Sequence, residues 1–336
     1  MYKFIFKKSK ILLVIIVILG ILILYNSSRI SRENFEDQYD TLETSMNGAS
    51  GFYSQVLCNL RHYLYDKKHG LNYILKTTNW HYTLDKGWED YFQNVDIITN
   101  NPSAKTLYPG IFEILEEYPI RDYIAAIPEF YRPNYETLRE ITRKKAEIGF
   151  RDDIEYGAIY IRRGDKLINE IDLVESSEFI NKLLKVYPNC KKIFLQTDDY
   201  NCYLELHKYI DDNKLNIEIR TLCPPGNFGA VSDKNWMNRL KTELENNKDS
   251  YLQNVKNNLS KSIAEMSPAE KKEHVLELMT SVDICCGAQY VICDYRSNVA
   301  RFIKCAHKID TFRVFDVKDG DSIFSLDNKS CPCFNF

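Results

Sequence analysis

The chain has 336 residues, 44% apolar and 27% charged, which is room for two domains or one large one around a substantial core. A net charge of −3 gives no basic footprint and excludes nucleic acid as the expected partner. In chain order, the first 25 residues differ in kind from the rest: Lys3, Lys7, Lys8 and Lys10 precede Ile11 to Tyr25, fifteen residues without a charge. A spanning helix needs roughly 20 apolar residues, and snorkelling lysines with a thin bilayer make up the difference. The basic flank stays cytoplasmic. Residues 1–10 therefore read as a cytoplasmic tail, 11–25 as a transmembrane signal anchor and the remainder as luminal or outside. The rival is a cleaved signal peptide, but NSSRISREN after Tyr25 shows no small-x-small cleavage pattern. A short anchor fits the thin membranes of the early secretory pathway, so a Golgi or ER type II protein is expected.

Residues 26–45 are polar and acidic and read as a short stem. Globular sequence follows. Gly48 and Gly51 lead into an amphipathic helix running through Tyr65, 71–75 is a buried strand, and a charged helix from Thr137 to Ile148 ends at Gly149. This makes 46–150 a smaller N-terminal α/β domain. From 151 to 325 the pattern changes. Strands at 158–163, 192–199, 216–222, 289–293 and 312–317 alternate with helices at 175–186, 200–210, 275–284 and 298–307. That alternation predicts a parallel, doubly wound, Rossmann-like sheet. Residues 236–274, rich in Lys, Glu and Asn, read as a helical insertion between the third and fourth of these strands. The ten cysteines permit disulfides without a readable pairing, Cys331 and Cys333 mark a terminal 326–336 tail, and Asn26, Asn258 and Asn328 head N-x-S sequons.

Ligands of such sheets bind beyond the carboxyl ends of the strands, and three strand ends carry chemistry. Arg162, Arg163, Asp165 and Lys166 follow the first, with Glu170 beyond them; Thr197, Asp198 and Asp199 follow the second; Asp294 to Asn298 follow the fourth and open a helix. Arginine forks match phosphate oxygens, and a helix N-terminus offers N–H groups to the same anion. Glycines such as Gly48 and Gly51 let a backbone come close to phosphate. Together these are the parts of a nucleotide-diphosphate site.

IYIRRGDKLINE is similar to the R-R-x-D-K-x-x-x-E stretch of the α-1,6-fucosyltransferases, the family that core-fucosylates N-glycans and includes the nodulation fucosyltransferases. FLQTDD, YVICDYRSNVAR, GASGFYSQV, LNYIL and NWHYTLDKGWEDYF resemble further blocks of that family, in the same order, across about residues 46–305. The resemblance implies an α/β, GT-B-like glycosyltransferase that transfers L-fucose from GDP-fucose to a glycan or glycoprotein acceptor, with inversion and without a metal or other cofactor. It assigns Glu170 as general base, Lys166 as its charge partner, Arg162 and Arg163 to the diphosphate, and Asp165 to holding the arginines. Ser297 and the Gly48–Gly51 loop would contact the diphosphate, and Thr197, Asp198 and Asp199 would lie near the nucleotide. Tyr160 stands where the family often has His and would keep a backbone contact to guanine. Asp283 is the first candidate for the family's guanine-reading acid and Glu277 the second; Arg296 replaces a family Ser. The chain has neither the long stem nor the C-terminal SH3-like domain of mammalian-type members, so a different acceptor is expected, read through 236–274. Alternatives are another linkage or GDP-sugar, a protein O-fucosyltransferase, and an inactive, membrane-anchored glycan-binding protein.

Overall fold

In the computed structural model, residues 40–46, 50–93, 106–107, 118–151, 153–163, 173–227, 229, 242 and 262–318 are described. The smaller sheet is parallel, in the order β2-β1-β3, and consists of β1 (Thr41–Ser45), β2 (Asn72–Lys76) and β3 (Thr106–Leu107). Helix α1 (Phe52–His69) makes the crossover from β1 to β2 and ends at Gly70, whose φ of +66° suits glycine. The stem expected at 26–45 must be shortened: its last five residues are the central strand, and Thr41 to Thr44 are buried. Their polarity hid them, because it is spent inside. Thr44 Oγ1 donates to Asn59 Oδ1 at 2.9 Å, and Glu43 pairs with Lys76 at 2.6 Å. Helices α2 (Ile120–Phe130) and α3 (Tyr135–Glu147) complete this half; Asn134 caps α3 by accepting from the Thr137 N–H at 2.9 Å.

The second sheet has β4 (Gly157–Ile161), β5 (Lys192–Thr197), β6 (Glu218–Thr221), β7 (Tyr290–Cys293) and β8 (Val314–Asp316), joined through α4 (Ser176–Val186), α5 (Tyr200–Asp212), α6 (Pro268–Gly287) and α7 (Asn298–Ala306). All pairs are parallel and the order is β6-β5-β4-β7-β8. The chain walks outward from β4 through β6, then returns to β7 on the other side, so the switch point lies between β4 and β7. The doubly wound expectation from the strand–helix alternation holds.

The two-residue period of a strand sends alternate side chains to opposite layers. Ile159, Ile161, Ile193, Leu195 and Ile292 pack with residues of α4 and α5, including Phe179, Leu183 and Leu206. Ala158, Tyr160, Phe194, Val291 and Cys293 belong to a second core that runs on through α6 and α7 into the smaller half. Phe302 of α7 joins them most visibly, 4.6 Å from the Tyr53 ring on α1 and 4.7 Å from the Tyr131 ring. Trp80 and Trp88 are buried in the same aromatic core.

Helix α6 starts earlier than its apolar period suggests. Ser267 and Glu270 form a capping box, with Pro268 at the first helical position. Residues 268–274, expected in the insertion, are thus the first turns of a sheet-covering helix; 236–241 and 243–261 lie outside the described residues. The anchor at 11–25 and the 326–336 tail also lie outside them, and among the described residues no helix is long and apolar enough to cross a membrane. The eight described cysteines are all thiols, and burial raises the pKa of each.

Candidate active site

The switch-point rim is built by three strand ends. β4 stops at Ile161, and the two arginines that follow leave the sheet on opposite sides. Arg162 takes the side of Tyr160 and α6. Its guanidinium is ion-paired to Asp198, and the other Asp198 oxygen accepts from the Arg163 N–H at 2.8 Å. Asp198 thereby ties the end of β4 to the end of β5 and fixes where the Arg162 fork sits. Its backbone carbonyl accepts from Gly229 N and Asn227 Nδ2, both at 2.7 Å, which anchors the loop after β6 to the same point.

Arg163 turns the other way. It is 2% exposed and grips Glu205 of α5 with two nitrogens at 2.8 and 2.7 Å, while Ser176 at the start of α4 accepts from it at 3.0 Å. Burial alone would raise the Glu205 pKa, but the bonds from Arg163 and Ser176 outweigh it and hold the carboxyl below its ordinary range. The expected diphosphate contact is therefore corrected for Arg163: its side chain braces the far layer and does not reach the rim. Thr197 and Asp199 are likewise spent locally. Thr197 Oγ1 accepts from the Asp199 N–H at 3.1 Å, and Asp199, fully buried, caps α5 by accepting from the Asn201 N–H at 2.9 Å.

Across the switch point, Ser297 is the N-cap residue of α7, yet its hydroxyl makes no capping bond. It lies 2.7 Å from the Tyr160 hydroxyl, which is buried on β4. The turn before it is held rigidly. Asp316 accepts from the Tyr295 N–H at 2.7 Å, and Asp294 accepts from Arg296 Nε at 2.9 Å, so Arg296 is tied to its own loop. Gly51 is the N-cap residue of α1, whose first turn touches α7 through Tyr53 and Phe302. A Cβ at Gly51 would meet nothing within 4 Å, so close packing does not require the glycine. Gly48, Asp165, Lys166 and Glu170 lie outside the described residues.

Asp283 stands elsewhere. It sits near the C-terminal end of α6, paired with Lys145 at 2.8 Å and Lys308 at 2.6 Å. The neighbouring Ile284 carbonyl accepts from Tyr156, just ahead of β4, so this is the N-terminal edge of the sheet, opposite the strand ends. The expected guanine contact by Asp283 is corrected on that ground. Glu277 lies six residues earlier, about 9 Å towards the rim at 1.5 Å per residue. Burial raises its pKa, opposed by Lys144 and reinforced by Glu273. His274, one turn further, lies within electrostatic reach of Arg162; burial and that charge push its pKa down to about 4, so it stays neutral. Sequence reasoning missed His274 because α6 was read as starting at Val275; the S-P-A-E capping box from Ser267 to Glu270 is the signal that finds it. Among the described residues no group of three or more His, Cys, Asp or Glu side chains could hold a metal ion.

No protein-family model matches the chain, and no curated protein matches it in sequence. Solved structures do match it. One is the NodZ α-1,6-fucosyltransferase soaked with GDP-fucose, at 8% identity, TM-score 0.49, covering 79% of this chain and 92% of that one. A second is fucosyltransferase NodZ from Bradyrhizobium, at 9% identity, TM-score 0.46, covering 79% and 93%. A third is POFUT1 in complex with GDP, at 10% identity, TM-score 0.44, covering 83% of this chain and 99% of that one.

Proposed function

We propose that the chain is an inverting GDP-fucose-dependent fucosyltransferase that forms an α-1,6 linkage to GlcNAc of a glycan. One observation carries the reading: two of the sequence blocks that resemble the family's donor motifs converge at the switch point, where Tyr160 on β4 meets Ser297 at the head of α7 at 2.7 Å. Arg162 follows on the same face of β4, ion-paired to Asp198. A diphosphate there would meet one guanidinium, one hydroxyl and the first N–H groups of a helix, all preorganised. In the proposed reaction Glu170 takes the proton of the acceptor hydroxyl, which attacks the anomeric carbon on the face opposite GDP. Lys166 steadies the charge beside Glu170, and Arg162 with α7 stabilises the departing diphosphate. Glu277 is the preferred reader of the guanine edge, because Asp283 is committed to two lysines on the opposite edge. We place the enzyme as a single-pass type II protein of the Golgi or ER on the sequence of residues 1–25, and assign acceptor selection to the stretch from 236 to the start of α6.

The test uses the full chain in detergent with GDP-fucose and a mixed N-glycan pool. Transfer to the innermost GlcNAc, lost in Glu170→Gln and Arg162→Ala, is the expected result. GDP-fucose binding without transfer would overturn the linkage and keep the donor site. No binding of GDP-fucose would overturn the donor assignment itself.

A further inference from the structure

Ser297 holds the position where a serine ordinarily caps its helix, a bond whose loss costs on the order of 1 kcal/mol. It makes no such bond. Its hydroxyl is engaged instead by Tyr160, at 2.7 Å, in a setting where Tyr160 is 2% and Ser297 9% exposed. The two residues belong to different strand ends: Tyr160 is on β4 and Ser297 follows β7, so the bond spans the switch point. A phenol is the stronger donor of the two hydroxyls. With Tyr160 donating, the Ser297 oxygen is occupied as an acceptor and its own proton must find another acceptor. A hydroxyl that accepts one hydrogen bond also becomes a better donor of the next. The first-turn N–H groups of α7, which the side chain leaves uncapped, belong to the same helix head.

We propose that Tyr160 is a positioning residue for the donor: its hydroxyl donates to Ser297 and turns the Ser297 proton outward, onto a diphosphate oxygen at the head of α7. The assignment rests on reading this rim as a GDP-sugar site, and goes beyond that reading by giving the Tyr160 side chain a role through Ser297 rather than a guanine contact of its own. The Tyr160 ring belongs to the core, so Tyr160→Phe keeps the packing and deletes only the relay.

The experiment is GDP binding to the full chain in detergent by calorimetry, with the donor KM and kcat measured alongside. Tyr160→Phe should raise the Kd for GDP and the donor KM about five- to tenfold, the weight of one well-formed hydrogen bond. Ser297→Ala should weaken GDP by a similar factor, and the double variant should be no weaker than Ser297→Ala alone. Ser297→Thr, which keeps the hydroxyl, should hold GDP nearly as well as the parent. An unchanged Kd in Tyr160→Phe, or separate losses that multiply in the double variant, would overturn the relay while leaving the GDP site standing. If Tyr160→Phe does not fold, equal GDP affinity in Ser297→Ala and the parent overturns it instead. A parent chain that does not bind GDP overturns the site and the relay together.

Discussion

Phe302 is the residue on which the unity of the fold can be tested. It is 1% exposed and packs between the Tyr53 ring of the smaller half and the Tyr131 ring that follows α2, at 4.6 and 4.7 Å. Replacing a buried Phe with Ala removes its transfer energy and leaves a cavity, about 3–5 kcal/mol in all. Folded chains are stable by only about 5–15 kcal/mol, so the loss is a large fraction of the total. If the two sheets share one core, Phe302→Ala destabilises both halves together. Guanidinium unfolding of the full chain in detergent separates the cases. Tryptophan fluorescence reports heavily on Trp80 and Trp88 in the smaller half, and far-UV circular dichroism reports on both sheets. The expected outcome is a lower midpoint with the two probes still coincident. A loss under about 1 kcal/mol, or a variant in which circular dichroism shifts while fluorescence stays, would refute the shared core.

Arg163→Ala should destabilise by about 1–3 kcal/mol, less than a fully buried pair would, because the Glu205 side chain is 42% exposed and water can reclaim it. The Glu205 carboxyl sits below its ordinary range, so its stabilisation is present above the unfolded value, about 4.3, and is lost as pH falls through the lowered one. Denaturant midpoints should therefore drop less steeply below about pH 4 in Arg163→Ala than in the parent; identical acid profiles would count against the brace. His307 titrates with the opposite charge logic. Nε2 bonds to the Ala288 carbonyl at 3.0 Å and Nδ1 accepts from the Asp310 N–H at 3.2 Å, a pattern only the neutral ring can satisfy. Burial lowers its pKa to about 4 against those backbone bonds, with Lys304 and Arg313 adding to the fall. The unfolded ring titrates near 6.5, so its stability is full above that pH and is lost progressively down to the folded value. Between pH 7 and 5, His307→Asn should lose about 1–2 kcal/mol less than the parent; equal slopes would contradict it.

The strand–helix alternation from Gly157 onward was legible because a parallel sheet covered on both faces is apolar almost throughout, as in GAIYI and YVIC. β1 was not, because TLETS buries polar groups whose partners, Asn59 and Lys76, come from other elements. The start of α6 was obscured by charge: PAEKKEH lacks apolar period, and its signal is the cap rather than the pattern. At the strand ends, the structure pairs Arg162 with Asp198 and sets Tyr160 against Ser297. The strand-end rule could not tell rim from brace, because residues adjacent in sequence after a strand diverge in space.

That divergence governs the Arg162–Arg163 pair. The pleat of β4 sends alternate side chains to opposite faces up to Ile161, and the two arginines just beyond it go to opposite layers, Arg162 to Asp198 and Arg163 to Glu205 and Ser176. The geometry assigns them separate tasks. Asp198 accepts from the Arg162 side chain and from the Arg163 backbone, so one carboxylate sets both residues. With its backbone held there, Arg163 reaches Glu205 and Ser176 and locks α4 to α5 behind the sheet, while Arg162 is steadied beside His274 in front of it. A neutral His274 matters to this arrangement, since a second cation at that point would repel the guanidinium. The same pleat explains why Tyr160 can assist. Two residues before Arg162 on β4, it projects from the same face, and its hydroxyl meets the head of α7. Among the described residues, Asp198 thus fixes both arginines, and Arg163 serves the layer behind the sheet while Arg162 stays in front of it.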